Sequence, residues 1–138
     1  MTTVKNIYDF IDGFAPFDTA MSFDNVGILV GNAETETKKV LVSLDVSPEA
    51  VSEAKEKNCD LIVSHHPVIF NPLRSLKTED IVYTLAKSDI SVISAHTNLD
   101  MARGGVNDCL CDVLGIHGVS EMFLDGCPIG RTGSISKM

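Results

Sequence analysis

The chain has 138 residues, of which 44% are apolar and 22% are charged, a composition typical of one globular domain. Its net charge is −8 at pH 7, and it contains no basic run of the kind that binds nucleic-acid phosphates. No apolar stretch approaches the ~20 residues of a membrane-spanning helix, and the N-terminus lacks the basic and apolar regions of a signal peptide. We therefore expect a domain that binds neither nucleic acid directly nor membranes.

The four cysteines bear on the cellular compartment. They are Cys59, Cys109, Cys111 and Cys127, and no two of them have Cys-x-x-Cys spacing. This pattern favours free, structural thiols over a redox pair or a zinc site. Free thiols are typical of a reducing compartment, so we expect a cytoplasmic protein.

The first part of the chain predicts one helix and one strand. The helix is capped by Thr3 and ended by Gly13, and its apolar residues recur at helical spacing at Val4, Ile7, Tyr8 and Ile11. A short apolar run at residues 26–30 then predicts a strand.

From Lys38 onwards, short apolar runs alternate with helical patterns. Strands are predicted at residues 38–45, 60–64 and 90–95. Helices are predicted at residues 47–58, where Ser47 is the cap and Pro48 the first helical residue, after Thr78, and at 105–114. Residues 97–104 are predicted to be a loop.

This alternation predicts the topology of the sheet. Strand–helix–strand units with crossovers of this length imply parallel strands and right-handed connections. The three strands would then end at one rim, where they bring together Asp45, His65 with His66, and His96. We expect an α/β fold with helices layered on the sheet, and in such folds ligands bind at the carboxyl ends of the strands.

The segment 118–138 differs from the rest because it is rich in glycine. It contains Gly118, Gly126, Gly130 and Gly133, and it predicts one or two short strands with turns. We interpret residues 1–138 as a single α/β domain, the N-terminal domain of a longer chain. The glycine-rich strand segment is expected to lead into a missing C-terminal half.

Two adjacent histidines, His65 and His66, follow the apolar run 61–63 and precede Pro67. Neighbours on a regular strand face opposite sides of the sheet. The two rings can therefore share a site only if the strand gives way to a loop, which Pro67 favours, or each can serve a different metal ion. The alternative is one histidine in the core and one on the surface.

The next predicted strand ends in His96-Thr-Asn-Leu-Asp100. Asp100 offers an oxygen ligand that can share a divalent metal with imidazole, although a turn or capping role is also open. His96 and Asp45 are candidates for orienting the ligands rather than binding the metal. Two imidazoles and a carboxylate suit Zn, Fe, Mn or Co, and three ligands leave positions at which water can be activated.

The short motifs that define three common enzyme classes are absent. The chain has no Gly-x-Ser-x-Gly elbow, no Walker loop and no Gly-x-Gly-x-x-Gly. The sequence therefore does not support a serine hydrolase, a P-loop NTPase or a nicotinamide enzyme.

Several motifs, in order, resemble the N-terminal half of the Nif-three-like family, also known as GTP cyclohydrolase I type 2 homologues. They lie at residues 24–31 (Asp-Asn-Val-Gly-Ile-Leu-Val-Gly), 64–67 (Ser-His-His-Pro), 95–100 (Ala-His-Thr-Asn-Leu-Asp), 104–107 (Gly-Gly-Val-Asn) and 130–133 (Gly-Arg-Thr-Gly). The resemblance implies an α/β fold, a dinuclear metal site and a toroidal homohexamer. Carried over by position, it implies His65, His66 and Asp100 as metal ligands.

The family completes its metal site with a His-x-x-x-Glu pair near the C-terminus. Here His117 and Glu121 have that spacing, but they precede the 130–133 motif instead of following it. We therefore expect that this chain is the N-terminal part of a longer protein.

The resemblance and the predicted rim lead to one functional hypothesis and two alternatives. We expect a metal-dependent hydrolase, cyclohydrolase-like or phosphatase-like, that acts on a small phosphorylated or nucleotide substrate with two divalent ions. No catalytic residue is assigned. The first alternative is a non-catalytic metal-binding scaffold or regulator that acts as a ring-shaped oligomer. The second is a plain α/β domain with surface histidines.

Overall fold

A four-stranded sheet forms the centre of the structure. The computed structural model describes residues 1–136, so Lys137 and Met138, the end of the predicted strand segment 118–138, lie outside the described residues. The strands are Gly27–Val30 (β1), Val40–Ser43 (β2), Leu61–Ser64 (β3) and Ser91–Ser94 (β4). They lie side by side in the order β1–β4–β3–β2.

Strands β2, β3 and β4 are parallel, as the sequence predicts. Their carboxyl ends therefore meet at one rim of the sheet, where Asp45, His65 and His96 follow within one or two residues. Strand β1 pairs with β4 in the antiparallel sense, with Gly27 opposite Ser94. The amino end of β1 consequently lies at the same rim.

Five α-helices and one 3-10 turn accompany the sheet in the described residues. The helices are Val4–Asp12 (α1), Pro48–Glu56 (α2), Ile81–Lys87 (α3), Thr97–Met101 (α4) and Val106–Val113 (α5), and the 3-10 turn is Phe17–Thr19. The predicted caps of the first two helices are confirmed, because the side chains of Thr3 and Ser47 accept hydrogen bonds from the amides of Asn6 and Ala50. None of these helices combines the length and apolar character needed to cross a bilayer.

Two sequence predictions about local structure are wrong. Helix α3 begins after Asp80 instead of Thr78, because Asp80 closes a turn in which its amide and carboxylate bond to the backbone of Lys77. The predicted loop 97–104 contains helix α4, so Asp100 lies on a helix. The buried Asn98 accounts for this turn of helix, since it accepts from the His96 amide and donates to the Ala15 carbonyl.

Apolar side chains fill both faces of the sheet. Ile62 and Val92 face a cluster completed by α2 and α3, whereas Leu61 and Ile93 face one completed by α1 and the 3-10 turn. All four side chains are buried, because successive residues of a strand point to opposite faces and both faces are covered. The expected α/β fold with helices layered on the sheet is therefore present, and it has three layers.

The glycine-rich segment forms a hairpin of two nine-residue strands, Ile116–Leu124 (β5) and Cys127–Ile135 (β6). These strands are longer than predicted. The turn consists of Asp125 and Gly126, both with positive φ, which matches the right-handed twist of a two-residue hairpin. The hairpin packs against α4 and α5. The four cysteines are free thiols, as expected.

Removing part of one central side chain tests the position of the core. We expect Ile62→Ala to lower the free energy of unfolding by about 2–5 kcal/mol, because Ile62 is fully buried and the change leaves a cavity. The control is Val42→Ala on β2, where the side chain is 77% exposed, and it should change stability by about 0.5 kcal/mol or less. Urea unfolding measures both, and equal losses would contradict this assignment of the core.

Candidate metal centre

The two adjacent histidines converge because β3 loses its regular alternation at Ser64. Successive amides of a regular strand point to opposite sides, but the amides of His65 and His66 donate to consecutive carbonyls of the β2 chain. His65 bonds to Ser43 at 3.2 Å, and His66 bonds to Leu44 at 2.9 Å. The backbone therefore turns at His65, and the two imidazole centroids lie only 5.0 Å apart.

His96 joins this pair from the end of β4. Its ring centroid lies 5.1 Å from that of His65 and 5.6 Å from that of His66. One ring nitrogen from each of the three histidines lies within 4.8 Å of the other two. This group is a candidate for holding a divalent cation, since imidazole is a common ligand of Zn, Fe, Mn and Co.

Each imidazole is anchored through its Nδ1 atom. The partner of His65 is the Ala95 carbonyl at 2.9 Å, that of His66 is Asp45 at 2.7 Å, and that of His96 is Asp24 at 2.9 Å. A carbonyl or carboxylate oxygen accepts, so Nδ1 is the protonated nitrogen of each neutral ring. The lone pair of each neutral ring therefore belongs to Nε2, the arrangement in which outer partners orient metal-binding histidines.

The other predicted site residues lie in or beside the histidine cluster. Asp100 lies beside the cluster, with its Oδ1 atom 3.4 Å from Nε2 of His65. Asp45 contacts His66 in the orienting position that the sequence suggests. His96, expected only to orient ligands, lies in the cluster itself. Ligation by His65, His66 and Asp100 stays a prediction.

Asp24 is the residue that sequence reasoning missed. It precedes the antiparallel β1, and this direction brings it to the rim beside His96. Its side chain is completely buried and accepts four hydrogen bonds, from the Nδ1 atom of His96, the amide of Asn25, and the amide and hydroxyl of Thr97. Burial by itself raises the pKa of Asp24, but these hydrogen bonds outweigh it and lower the pKa overall. The motif at residues 24–31 was the available signal.

Arg131 holds helix α4 in place from the hairpin. Its side chain is 4% exposed, and it donates to the carbonyls of Met101 and Ala102 at the end of the helix that carries Asp100. It also bonds to Asp108 on α5. The Arg131 guanidinium, and then the Gly104 amide, hold the pKa of Asp108 below its usual range. The hairpin thus supports the rim through the side chain of Arg131, which donates to backbone carbonyls at the end of α4.

The fourth histidine, His117, is not in the cluster. It lies exposed on β5, opposite Ser134 on β6, and Glu121 lies opposite Arg131. Among the described residues, the only group of three or more potential metal ligands is the one formed by His65, His66 and His96.

The fold and the cluster define a three-layer α/β protein with a histidine-lined rim at the carboxyl ends of its parallel strands. The Duf34/NIF3 (NGG1p interacting factor 3) family model matches residues 2–138, and the chain belongs to this family.

Curated relatives agree with this assignment. The chain is 34% identical over 139 residues to a GTP cyclohydrolase 1 type 2 homolog from Clostridium perfringens, covering 98% of this chain and 52% of the relative. A homolog of the same name from Staphylococcus aureus is 41% identical over 120 residues, covering 85% of this chain and 33% of that protein. The chain therefore spans about a third to a half of the length of these relatives.

Solved structures share the fold. Staphylococcus aureus hypothetical protein SA1388 superimposes with a TM-score of 0.82 at 41% identity, covering 86% of this chain and 35% of that one. Reduced HcgD from Methanocaldococcus jannaschii superimposes with a TM-score of 0.86 at 34% identity, covering 96% of this chain and 54% of that one.

Replacing Asp24 tests the anchor of His96. We expect Asp24→Asn to lower the free energy of unfolding by about 1–3 kcal/mol, because an amide has one oxygen where four donors converge, and its NH2 group then faces other donors. Asp18→Asn, at an exposed position, removes the same charge and serves as the control. Urea unfolding measures both variants, and equal stabilities would refute the anchoring role.

The pH dependence of stability tests the contact between Arg131 and Asp108. Because the pKa of Asp108 is lowered in the folded state, the carboxylate stabilises the fold at neutral pH and loses this effect as the pH falls through that lowered pKa. The loss of stability in Asp108→Asn should be full at pH 7 and should shrink below pH ~3.9, the usual value for aspartate. Asp112→Asn, exposed on the same helix, is the control. A difference between Asp108→Asn and the parent that stays constant with pH would contradict the assignment.

Proposed function

We propose that the histidine-lined rim binds divalent metal ions and that the protein uses them to hydrolyse a small phosphorylated or nucleotide substrate. The observation that carries this proposal is the group of three histidines in which one ring nitrogen of each lies within 4.8 Å of the other two and each Nδ1 atom is bonded to an oxygen. Three surface histidines with no shared role would not need matched anchors at the same ring atom.

The donor set decides which cations fit. Imidazole with a nearby carboxylate suits Zn, Fe, Mn or Co better than Mg or Ca, which prefer oxygen ligands. His65, His66 and His96 would bind the metal, and Asp100, 3.4 Å from His65, would add an oxygen. The chemistry that divalent cations supply when bound is activation of water and polarisation of a phosphoryl oxygen.

Asp45, Asp24 and the Ala95 carbonyl would keep the three rings oriented. Their acceptance of the Nδ1 protons selects the tautomer of the neutral ring in which Nε2 carries the lone pair, and it fixes the orientation of each ring. The net charge of −8 also favours the accumulation of cations at the surface.

The substrate class and the assembly rest on the family. The name of the curated relatives, GTP cyclohydrolase 1 type 2 homolog, supports a nucleotide-like substrate. A second ion at the site, assembly into a ring of six copies and a cytoplasmic location belong to the same proposal. This chain matches about half of the length of the Clostridium perfringens relative, and a smaller share of some other relatives. Turnover is therefore proposed for the whole protein.

Metal content per chain tests the binding half of the proposal. We expect at least one divalent ion in protein purified without chelator, and His66→Ala or His96→Ala should weaken binding by at least about 100-fold, the upper end of the loss caused by removing outer partners. His117→Ala is the matched control, since it removes the histidine outside the cluster and should retain the metal. Elemental analysis and competition with a chromophoric chelator measure the effect.

Equal metal content in His66→Ala, His117→Ala and the parent would contradict metal binding at the rim. Turnover is measured separately, with phosphomonoesters and nucleotides in the presence of Mn, Co, Zn or Fe, and the Clostridium perfringens relative is assayed in parallel. Metal-dependent turnover that His66→Ala abolishes supports the hydrolase. Stoichiometric metal without turnover in either protein supports the non-catalytic scaffold instead.

A further inference from the structure

Three serines stand in a row across the parallel strands, directly before the site residues. Ser43 on β2 pairs in register with Ser64 on β3, and Ser64 pairs with Ser94 on β4. Asp45, His65 and His96 follow these serines within two residues. Ser64 and Ser94 are buried, at 2% and 0% exposure, in positions where an apolar side chain is the usual choice.

The hydroxyl hydrogen bonds in this row have a definite direction. The Oγ atom of Ser64 lies 2.9 Å from the carbonyl oxygen of His66 and 2.8 Å from the Oγ atom of Ser94. A carbonyl oxygen only accepts, so the single hydroxyl proton of Ser64 goes to His66. Ser94 must therefore donate the hydrogen bond between the two serines. The series of hydrogen bonds runs from the hydroxyl of Ser94 through that of Ser64 to the His66 carbonyl.

This chain of hydrogen bonds fixes the turn that brings His66 to the rim. The His66 amide donates to the Leu44 carbonyl, its ring donates to Asp45, and its carbonyl accepts from Ser64. The next residue, Pro67, has no amide proton with which to continue a strand ladder. His66 is thus held at three points, although its ring is 47% exposed and makes little use of core packing.

We propose that Ser64, polarised by Ser94, is a positioning residue that keeps His66 turned toward His65 and His96. This inference rests on the proposed metal site and adds residues that do not touch the metal. Donation from Ser94 strengthens the bond that Ser64 makes to His66, because hydrogen bonds in a chain polarise one another. The hydroxyl of Ser64 therefore acts on the conformation of a ligand and not on the packing of the core.

Ser43 provides a matched control within the same row. Its hydroxyl is buried and has no hydrogen-bond partner among the described residues, and it occupies the same register on the neighbouring strand. Ser43→Ala removes a serine hydroxyl at the same level of the sheet without removing a bond to His66. Loss of the Ser43 hydroxyl should leave the free energy of unfolding unchanged or raise it slightly, since an unsatisfied buried hydroxyl destabilises the fold.

The experiment compares Ser64→Ala, Ser64→Thr, Ser94→Ala and Ser43→Ala. In metal-free protein, Ser64→Ala should move the carbonyl carbon resonance of His66 upfield, because this carbonyl loses its hydroxyl donor. It should also speed the exchange of the His66 amide proton, because the turn that holds this amide to Leu44 is loosened. Its zinc affinity, measured by chelator competition, should fall about tenfold, the lower end of the loss expected for an outer partner. Ser64→Thr keeps the hydroxyl and should restore the resonance and the affinity. Ser94→Ala should cause smaller changes in the same direction.

The proposal is overturned if Ser64→Ala matches Ser43→Ala in the His66 carbonyl resonance and in zinc affinity. Ser94→Ala gives an independent reading should threonine prove too large for the buried site. If the parent binds none of Zn, Fe, Mn and Co, the proposed function fails, and the metal-free carbonyl and exchange measurements then decide whether Ser64 holds His66. Failure of the metal site and failure of the positioning role are therefore separate results.

Discussion

The in-register parallel pairing of β2, β3 and β4 determines where the polar residues leave the sheet. Side chains alternate along a strand, so a slip of one residue would turn every side chain of β3 to the other face and move Ser64 out of line with its neighbours. The apolar residues of β3 are buried on both faces of the sheet, which makes such a slip costly. The packing of the core therefore also determines that Asp45, His65 and His96 follow their strands at about the same height along the sheet.

At that rim, the fold satisfies two opposing demands on the histidines. A metal ligand must present a free lone pair, whereas a polar group near the core must be hydrogen-bonded. Anchoring each ring at Nδ1 meets both, because the other nitrogen keeps its lone pair. The buried carboxylate of Asp24 is the costly part of this solution, and four hydrogen bonds compensate for its burial.

The sequence was sufficient to predict much of this arrangement, and its failures have physical causes. The alternation of strands and helices implies parallel strands, and this places His65 and His96 at one rim. The antiparallel direction of β1 is not visible in its apolar residues, so the place of Asp24 could not be derived. The sequence 97–104 predicts a loop because Asn98 is a poor helix former, but in α4 the buried Asn98 side chain accepts from the His96 amide and donates to the Ala15 carbonyl. The sequence predicts an orienting role for His96, because groups around a metal site commonly orient its ligands. Its place in the cluster could not be derived, because the turn at His65 depends on hydrogen bonds between strands.

The proposed metal binding and the proposed turnover make different physical demands on this architecture. The proposed ligands lie on strand ends and on α4, which are positioned by the sheet, Asp24 and Arg131 within this chain. Hydrolysis would require an enclosed site in addition to positioned ligands, because enclosure strengthens the electrostatic interactions that stabilise a transition state. The ring of His66 is about half exposed, and the rim is open on its side. If the proposed function holds, these features favour a division in which the described residues would orient the proposed ligands, and enclosure of a substrate would require additional polypeptide, from a longer chain or from neighbouring copies.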